Sequence, residues 1–284
     1  VIKKILLLGH TGKMGVALTK VLSGDYEVVG KNSHDFDASQ FDSVEKLIEE
    51  LNPDIVINTV AFLGIDPCEQ EPEKAFLLNT LYPKILAELS VKRNFLLVHF
   101  STDAVFGNNE KGAFYTEEDS PCPLNLYGVT KYGGDCMVMA YAKRYYIFRL
   151  SVLFGEATKK NQFVEKMLQR IENGQKELFV ADDVFLSPTY SVDIACKVKE
   201  ILNEQNAFGL YHIANEGAVS LYEFMLEIGK CLNLQVPIRA GSFRDFPYIG
   251  QKNLNTPITS SKIKKLRSWQ AAVQDYCNVL IKGE

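Results

Sequence analysis

The chain has 284 residues, 46% of them hydrophobic and 23% charged, with a net charge of −4 and a pI near 5.7. That balance excludes a disordered chain, a collagen-like chain and a disulfide miniprotein, and the length allows one large domain or two interlocked ones around a sizeable core. A mildly acidic chain also lacks the electrostatic footprint of a nucleic-acid or anionic-membrane binder.

Six cysteines (Cys68, Cys122, Cys136, Cys196, Cys231 and Cys277) are scattered without a C-x-x-C pair, and the four histidines (His10, His34, His99 and His212) do not cluster. This reads as reduced thiols in a cytoplasmic protein, in preference to disulfides or a zinc site. No apolar run approaches the ~18 residues of a membrane span. The opening Val1-Ile2-Lys3-Lys4 and the apolar run after it are too short for a signal-peptide core and lack a small-residue cleavage site.

In chain order, residues 2–8 form an apolar run ending at Gly9, as expected of a buried parallel strand. Met14, Ala17, Leu18, Val21 and Leu22 then mark a helix over 13–22, and 27–30 a second strand. Val44, Leu47, Ile48 and Leu51 mark a helix stopped by Asn52-Pro53, before a third strand at 54–58. A long helix is expected over 72–92, a fourth strand at 95–100, a loop over 107–125, a helix over 126–143 and a fifth strand at 146–150. This alternation predicts right-handed βαβ crossovers and a doubly wound parallel sheet of Rossmann type. Past residue 150 the rhythm loosens, with helices expected at 162–173, 191–203, 220–232 and 268–281 and short strands at 178–180, 210–213 and 236–239. The expected organisation is a dinucleotide-binding domain over 1–153, completed by about 186–208, and an interleaved smaller substrate lobe drawn mainly from 154–284.

Three features carry chemistry. Gly9-His10-Thr11-Gly12-Lys13-Met14-Gly15 is G-x-x-G-x-x-G between a first strand and a first helix. Glycines there let a pyrophosphate approach the helix N-terminus, whose free N–H groups and dipole favour an anion. Lys13 and His10 read as solvent-exposed loop residues, so the backbone carries this site. Where a dinucleotide site usually has an acidic residue to bind the adenosine ribose, the chain has Lys31. A cation suits a 2′-phosphate; a solvated surface lysine is the competing reading.

Tyr127 and Lys131 form Y-x-x-x-K near a helix start, which puts both on one face. An ammonium near the phenol would lower its pKa and make the tyrosine a proton donor to a carbonyl. Ser101-Thr102-Asp103 ends the fourth strand, where ligands of open α/β sheets bind, so Thr102 can reach the same carbonyl oxygen.

With these motifs the chain resembles the extended short-chain dehydrogenase/reductase family, and within it the dTDP-4-dehydrorhamnose reductase branch. Further matches are Asn58-Thr59-Val60-Ala61 with Asp66 and Glu69, Ser101 to Phe106, Glu118 to Pro123, Asn125-Leu126-Tyr127-Gly128, Phe148-Arg149, Pro188-Thr189, Asp193-Ile194-Ala195 and Gly209-Leu210-Tyr211-His212. The resemblance implies reduction of the 4-keto group of a nucleotide-linked deoxysugar, with dTDP-4-dehydro-L-rhamnose as the best single substrate and NADPH, or else NADH, as cofactor. It implies that Gly9, Thr11, Gly12, Lys13, Met14 and Gly15 surround the pyrophosphate and that Lys31 reads the ribose. Asp37 and Ala38 would lie beside the adenine, and Ala61, Phe62 and Leu63 would line the cofactor. Tyr127 would be the proton donor, Lys131 would bind the nicotinamide ribose, and Thr102 and Asp103 would touch the sugar. A homodimer is compatible with it.

The substrate side departs from the family. Val152 and Leu221 stand where tryptophans are frequent. Asp-Gln-x-Gly-x-Pro-Thr reads Asp183-Val184-Phe185-Leu186-Ser187-Pro188-Thr189, and the C-terminal Arg-Pro is matched to Lys252-Asn253. Val152 and Lys252 thus become candidate substrate contacts. Ala104 follows Asp103 where related dehydratases carry glutamate, which disfavours elimination. An epimerase, or a non-catalytic dinucleotide-binding partner such as the regulatory β subunit of methionine adenosyltransferase, remain the alternatives.

Other residues have plainer readings. Asp103 equally suits a turn cap, and Arg149 a core ion pair. Glu69, Glu71 and Glu73 read as a solvated helix start, which leaves Mg2+ without a clear ligand cluster. Lys262, Lys264, Lys265 and Arg267 read as a solvated face, with a nucleotide-phosphate contact as the minor alternative. The lone Trp269 reads as core.

Overall fold

The computed structural model describes residues 2–156, 158 and 162–282. Its first half runs β1 (Lys4–Leu8), α1 (Lys13–Leu22), β2 (Glu27–Lys31), α2 (Phe41–Leu51), β3 (Ile55–Asn58), α3 (Ile65–Gln70), α4 (Pro72–Phe76), α5 (Tyr82–Lys92), β4 (Leu96–Thr102), α6 (Leu126–Tyr141) and β5 (Tyr145–Leu150). Its second half runs β6 (Leu153–Phe154), α7 (Phe163–Glu172), β7 (Leu178–Ala181), β8 (Phe185–Leu186), β9 (Thr189–Tyr190), α8 (Ser191–Glu204), β10 (Gly209–His212), β11 (Val219–Ser220), α9 (Leu221–Cys231), β12 (Ile238–Gly241) and α10 (Trp269–Lys282).

The apolar run of β1 explains the layering. Ile5 and Leu7 enter one core and Leu6 and Leu8 another, and all four are fully buried. A strand with no wet face needs helices on both sides. The six strands β2-β1-β3-β4-β5-β10 are all parallel. Ala17 and Leu18 of α1 and Ile194 and Val198 of α8 cover one face. Val44 and Ile48 of α2, Leu86 of α5 and Val138 of α6 cover the other. The doubly wound Rossmann sheet expected from the alternation is the observed fold.

Three local features differ from the sequence reading. The strand expected at 210–213, in the stretch of looser rhythm, is β10, the edge of the main sheet beside β5. The helix expected over 72–92 is continuous in direction but carries a π turn at Leu77–Leu81. Pro83 has no N–H to offer the Asn79 carbonyl, and the bulge turns the Asn79 and Thr80 side chains toward α6. Helix α3 and the two-residue strands β6, β8, β9 and β11 are too short to show a period.

The smaller lobe has its own core of Phe154, Tyr190, Phe224, Trp269 and Tyr276, joined by Leu178, Val180 and Ile228. Trp269 is core, as its solitary place in the sequence suggests. Arg267 ties the lobes: its Nε and Nη2 donate to the two oxygens of Asp193, at 2.9 and 3.0 Å. Lys265 pairs with Glu216, and Lys262 donates to the Leu210 carbonyl. The basic run therefore acts as a set of tethers, apart from Lys264, and Arg149 pairs with Asp135 at 3.0 Å inside the core.

Candidate active site

The glycine turn is shaped by what its side chains omit. Gly9 leaves β1 at φ +86°, a region that L side chains avoid. A Cβ on Gly15 would lie 2.4 Å from the Gly9 carbonyl oxygen and from the His10 Cα, so α1 can start this close to the turn only with glycine there. No side chain caps the N-terminus of α1 at Gly12. Its first N–H groups are left open toward the cleft, as an anion site requires. The residues present therefore fit a dinucleotide diphosphate.

Two expectations at this turn are corrected. Lys13 is not solvent-exposed: it is 3% exposed and its Nζ lies 2.5 Å from the Glu165 carboxylate of α7. His10 is half-buried, with its ring against Gly30, where a Cβ would come within 2.6 Å. Neither could be seen locally, because Glu165 is 152 residues away and Gly30 belongs to the next strand.

The other candidate cofactor residues separate into two groups. Gly12, Lys13, Met14, Ala61 and Leu63 line a cleft of about 540 Å³ at the strand ends. Lys31 stays beside the turn, since its carbonyl accepts from Gly9 N at 2.8 Å and its ammonium lies 3.7 Å from Asp35. Asp37 is exposed and accepts from Ser39, while Ala38 packs on the sheet's second core. Phe62 does not line the cleft. Asn79 bonds its backbone from both sides, and its ring faces the Lys74 ammonium 4.7 Å away.

Thr102, Tyr127 and Lys131 all line the same cleft. Thr102 ends β4, and its hydroxyl accepts from Ala104 N at 3.1 Å. Asn125 caps α6 by accepting from Gly128 N at 2.9 Å, and Glu69 accepts from Leu126 N at 2.9 Å. Gly128 allows the close approach of α6 to the β4 end, because a Cβ there would lie 2.2 Å from the Ala104 carbonyl oxygen. Glu69 is thus a helix cap. Among the described residues no group of three His, Cys, Asp or Glu could hold a metal ion.

Burial dominates the electrostatics of this pair. Burial holds the Tyr127 phenol well above its ordinary pKa; the neighbouring Thr102 hydroxyl offsets part of that rise, while Asp103 and Cys68 add to it. The Lys131 ammonium does not lower it. Instead Lys131 Nζ donates to the Phe100 carbonyl at 2.7 Å, and burial pushes its own pKa down to about 8, against the pull of Asp135. Both groups sit where the charged form is poorly solvated, so burial shifts each toward its neutral form.

On the substrate side, Asp103 serves as a hub. Ser151 and Thr256 donate to its Oδ2 at 2.8 and 2.9 Å, and Thr102 lies 3.2 Å from Oδ1. Val152 and Lys252 line the cleft. Lys252 lies 5.4 Å over the Tyr248 ring, and burial lowers its pKa, opposed by Asp103 and Asp66. Asp66 accepts from Ile249 N at 2.9 Å, anchoring the loop that carries Tyr248. Ser151, Tyr248 and Thr256 also line the cleft, without having stood out in the sequence. They lie in irregular segments, where no periodicity marks an inward residue.

A parallel doubly wound sheet, a glycine turn at its first crossover and a Thr–Tyr–Lys set at its strand ends define a nucleotide-binding fold of the extended short-chain dehydrogenase/reductase type. The chain belongs to the family described as the RmlD substrate binding domain, whose model matches residues 3–281. It is 31% identical to a dTDP-4-dehydrorhamnose reductase of Aggregatibacter actinomycetemcomitans over 96% of this chain and 97% of that one. The crystal structure of a dTDP-4-dehydrorhamnose reductase from Clostridium acetobutylicum is similar at a TM-score of 0.91 and 30% identity, covering 98% of this chain and 99% of that one. That of the Bacillus anthracis enzyme in complex with NADP also gives a TM-score of 0.91, at 25% identity, covering 99% of this chain and all of that one (100%).

Proposed function

We propose that this protein is an NADPH-dependent reductase of a nucleotide-linked 4-keto-deoxysugar, with dTDP-4-dehydro-L-rhamnose as its substrate. The observation that carries the reading is the convergence of Thr102, Tyr127 and Lys131 on the cleft that the glycine turn also borders. Family membership over nearly the whole chain supports the reaction type.

A bound nicotinamide supplies the hydride. The chain's own residues do the rest. The open amides of α1 hold the diphosphate. Tyr127, kept protonated by burial, gives its proton to the oxygen of the reduced carbonyl. Thr102 orients that oxygen from the end of β4. Lys131, fixed by the Phe100 carbonyl, places a cation beneath the site. Lys252 supplies a cation for the sugar-nucleotide diphosphate, as a point charge without the two-pronged fork of an arginine. The absence of a large aromatic face at Val152 leaves room beside the sugar. The six free cysteines fit a setting in the reducing cytoplasm.

The test is a side-by-side assay of dTDP-, GDP- and UDP-linked 4-keto-6-deoxysugars, following loss of nicotinamide absorbance. Stoichiometric oxidation of NADPH with the dTDP sugar is expected. Turnover without net cofactor oxidation would make the protein an epimerase. NADPH binding with no activity on any of the sugars would leave a cofactor-binding partner protein.

A further inference from the structure

The reaction leaves the ion pair between Lys13 and Glu165 unused. Lys13 is the first residue of α1, beside the glycine turn, and Glu165 lies in the first turn of α7 in the smaller lobe. Their side chains are 1% and 10% exposed, with Nζ 2.5 Å from Oε1. The Tyr276 hydroxyl of α10 lies 3.5 Å from the same oxygen, while Oε2 is buried without a partner. A second bond reaches the turn from outside: the Thr158 hydroxyl donates to the Thr11 carbonyl at 2.7 Å.

An ammonium at a helix start opposes the helix dipole, so the position does not of itself favour lysine. The carboxylate does. A buried Glu165 without a counterion would be costly, and its negative charge would stand behind the anion-binding turn. Lys13 borders the cleft, but its ammonium is held by the other lobe.

We infer that Lys13 serves the cofactor site indirectly, by neutralising Glu165 and clasping the smaller lobe to the glycine turn, and is not itself the ligand of the cofactor diphosphate. Lys13 and Glu165 are then positioning residues, and the diphosphate is held by backbone amides. This rests on the dinucleotide site of the proposed function.

The experiment measures NADPH affinity by the fluorescence of the bound nicotinamide, at a temperature where circular dichroism shows each variant folded. Lys13→Met leaves a buried carboxylate unpaired behind the turn and should weaken binding roughly tenfold or more. The double variant Lys13→Met with Glu165→Gln removes both charges and should return to within about threefold of the parent. A double variant as weak as Lys13→Met would show that the ammonium itself holds the diphosphate, and would overturn the inference. So would Lys13→Met binding as tightly as the parent with only a lower melting temperature, the mark of a purely structural pair. A parent chain that binds neither NADPH nor NADH removes the dinucleotide site and the clasp together, and that outcome shows before any variant is compared.

Discussion

Removing one oxygen atom from Tyr127 separates proton donation from packing. Tyr127→Phe keeps the ring in the cleft and loses the hydroxyl beside Thr102. Turnover should fall by about 10²–10⁴-fold while NADPH affinity stays within a few-fold, read by steady-state kinetics and cofactor fluorescence. A variant reducing the sugar at near the parent rate would remove Tyr127 from the chemistry. Lys31 tests cofactor choice. It borders the glycine turn, and its only ion-pair partner among the described residues is Asp35, at the loose distance of 3.7 Å. That pair is about a third exposed and worth little, so the ammonium can turn to a 2′-phosphate. Lys31→Asp should therefore reverse a preference for NADPH into one for NADH, measured as the ratio of kcat/KM values. An unchanged ratio would show that Lys31 does not read the phosphate.

At the scale of elements, the β1–α1 turn depends on close backbone approach. Gly15→Ala places a Cβ 2.4 Å from backbone atoms of Gly9 and His10, which cannot yield as a flexible side chain would. The start of α1 must shift, and its open amides shift with it. Stability should drop by about 1–3 kcal/mol in denaturant titration, with a larger proportional loss in NADPH affinity. Unchanged cofactor affinity in a folded Gly15→Ala protein would mean that the turn is not where the diphosphate sits. The π turn before α5 has a related role, since it presents Asn79 to both the Phe62 backbone and Thr130 of α6. That contact fixes the helix carrying Tyr127 against the loop after β3 that carries Ala61.

For the whole molecule, the junction between sheet edge and C-terminal segment is expected to contribute to the response to acid. His212 ends β10, and its Nδ1 lies 3.1 and 3.3 Å from the Thr259 and Tyr115 carbonyls, which requires the proton on that nitrogen. Burial pushes its pKa down to about 4; Glu117 opposes that shift and Arg149 reinforces it. The unfolded chain therefore binds this proton more readily than the folded one. The resulting stability is fully present above pH ~6.5 and is lost as the pH falls through about 4. The loss should amount to at most about 3 kcal/mol. Glu117, whose carboxylate accepts from His212 N, Ser260 and Ser261, has a lowered pKa and adds its own loss below that of an ordinary glutamate. Melting temperature recorded from pH 7 to 4 should fall steadily in the parent and less steeply in His212→Asn. Parallel curves would place the acid sensitivity elsewhere.

The sequence alone determined the layers and marked the candidate reacting groups, because both are local in the chain. An apolar run of strand length bounded by glycine suits a buried strand, and G-x-x-G-x-x-G and Y-x-x-x-K lie within seven or fewer consecutive residues. Strand–helix alternation with a fixed crossover hand then leaves few topologies. What the tertiary structure decided is which charges meet. Lys13 finds Glu165, Asp103 collects Ser151 and Thr256, and Arg267 reaches Asp193 across separations of 48 to 153 residues. Spacing carries no signal at such distances. The pKa of a buried group also depends on the water that folding removes, which is why the Tyr127 phenol is pushed up and the Lys131 ammonium down. Placing the strand at Gly209–His212 on the main sheet likewise needed the fold, since its four residues fit either lobe until β5 offers its free edge.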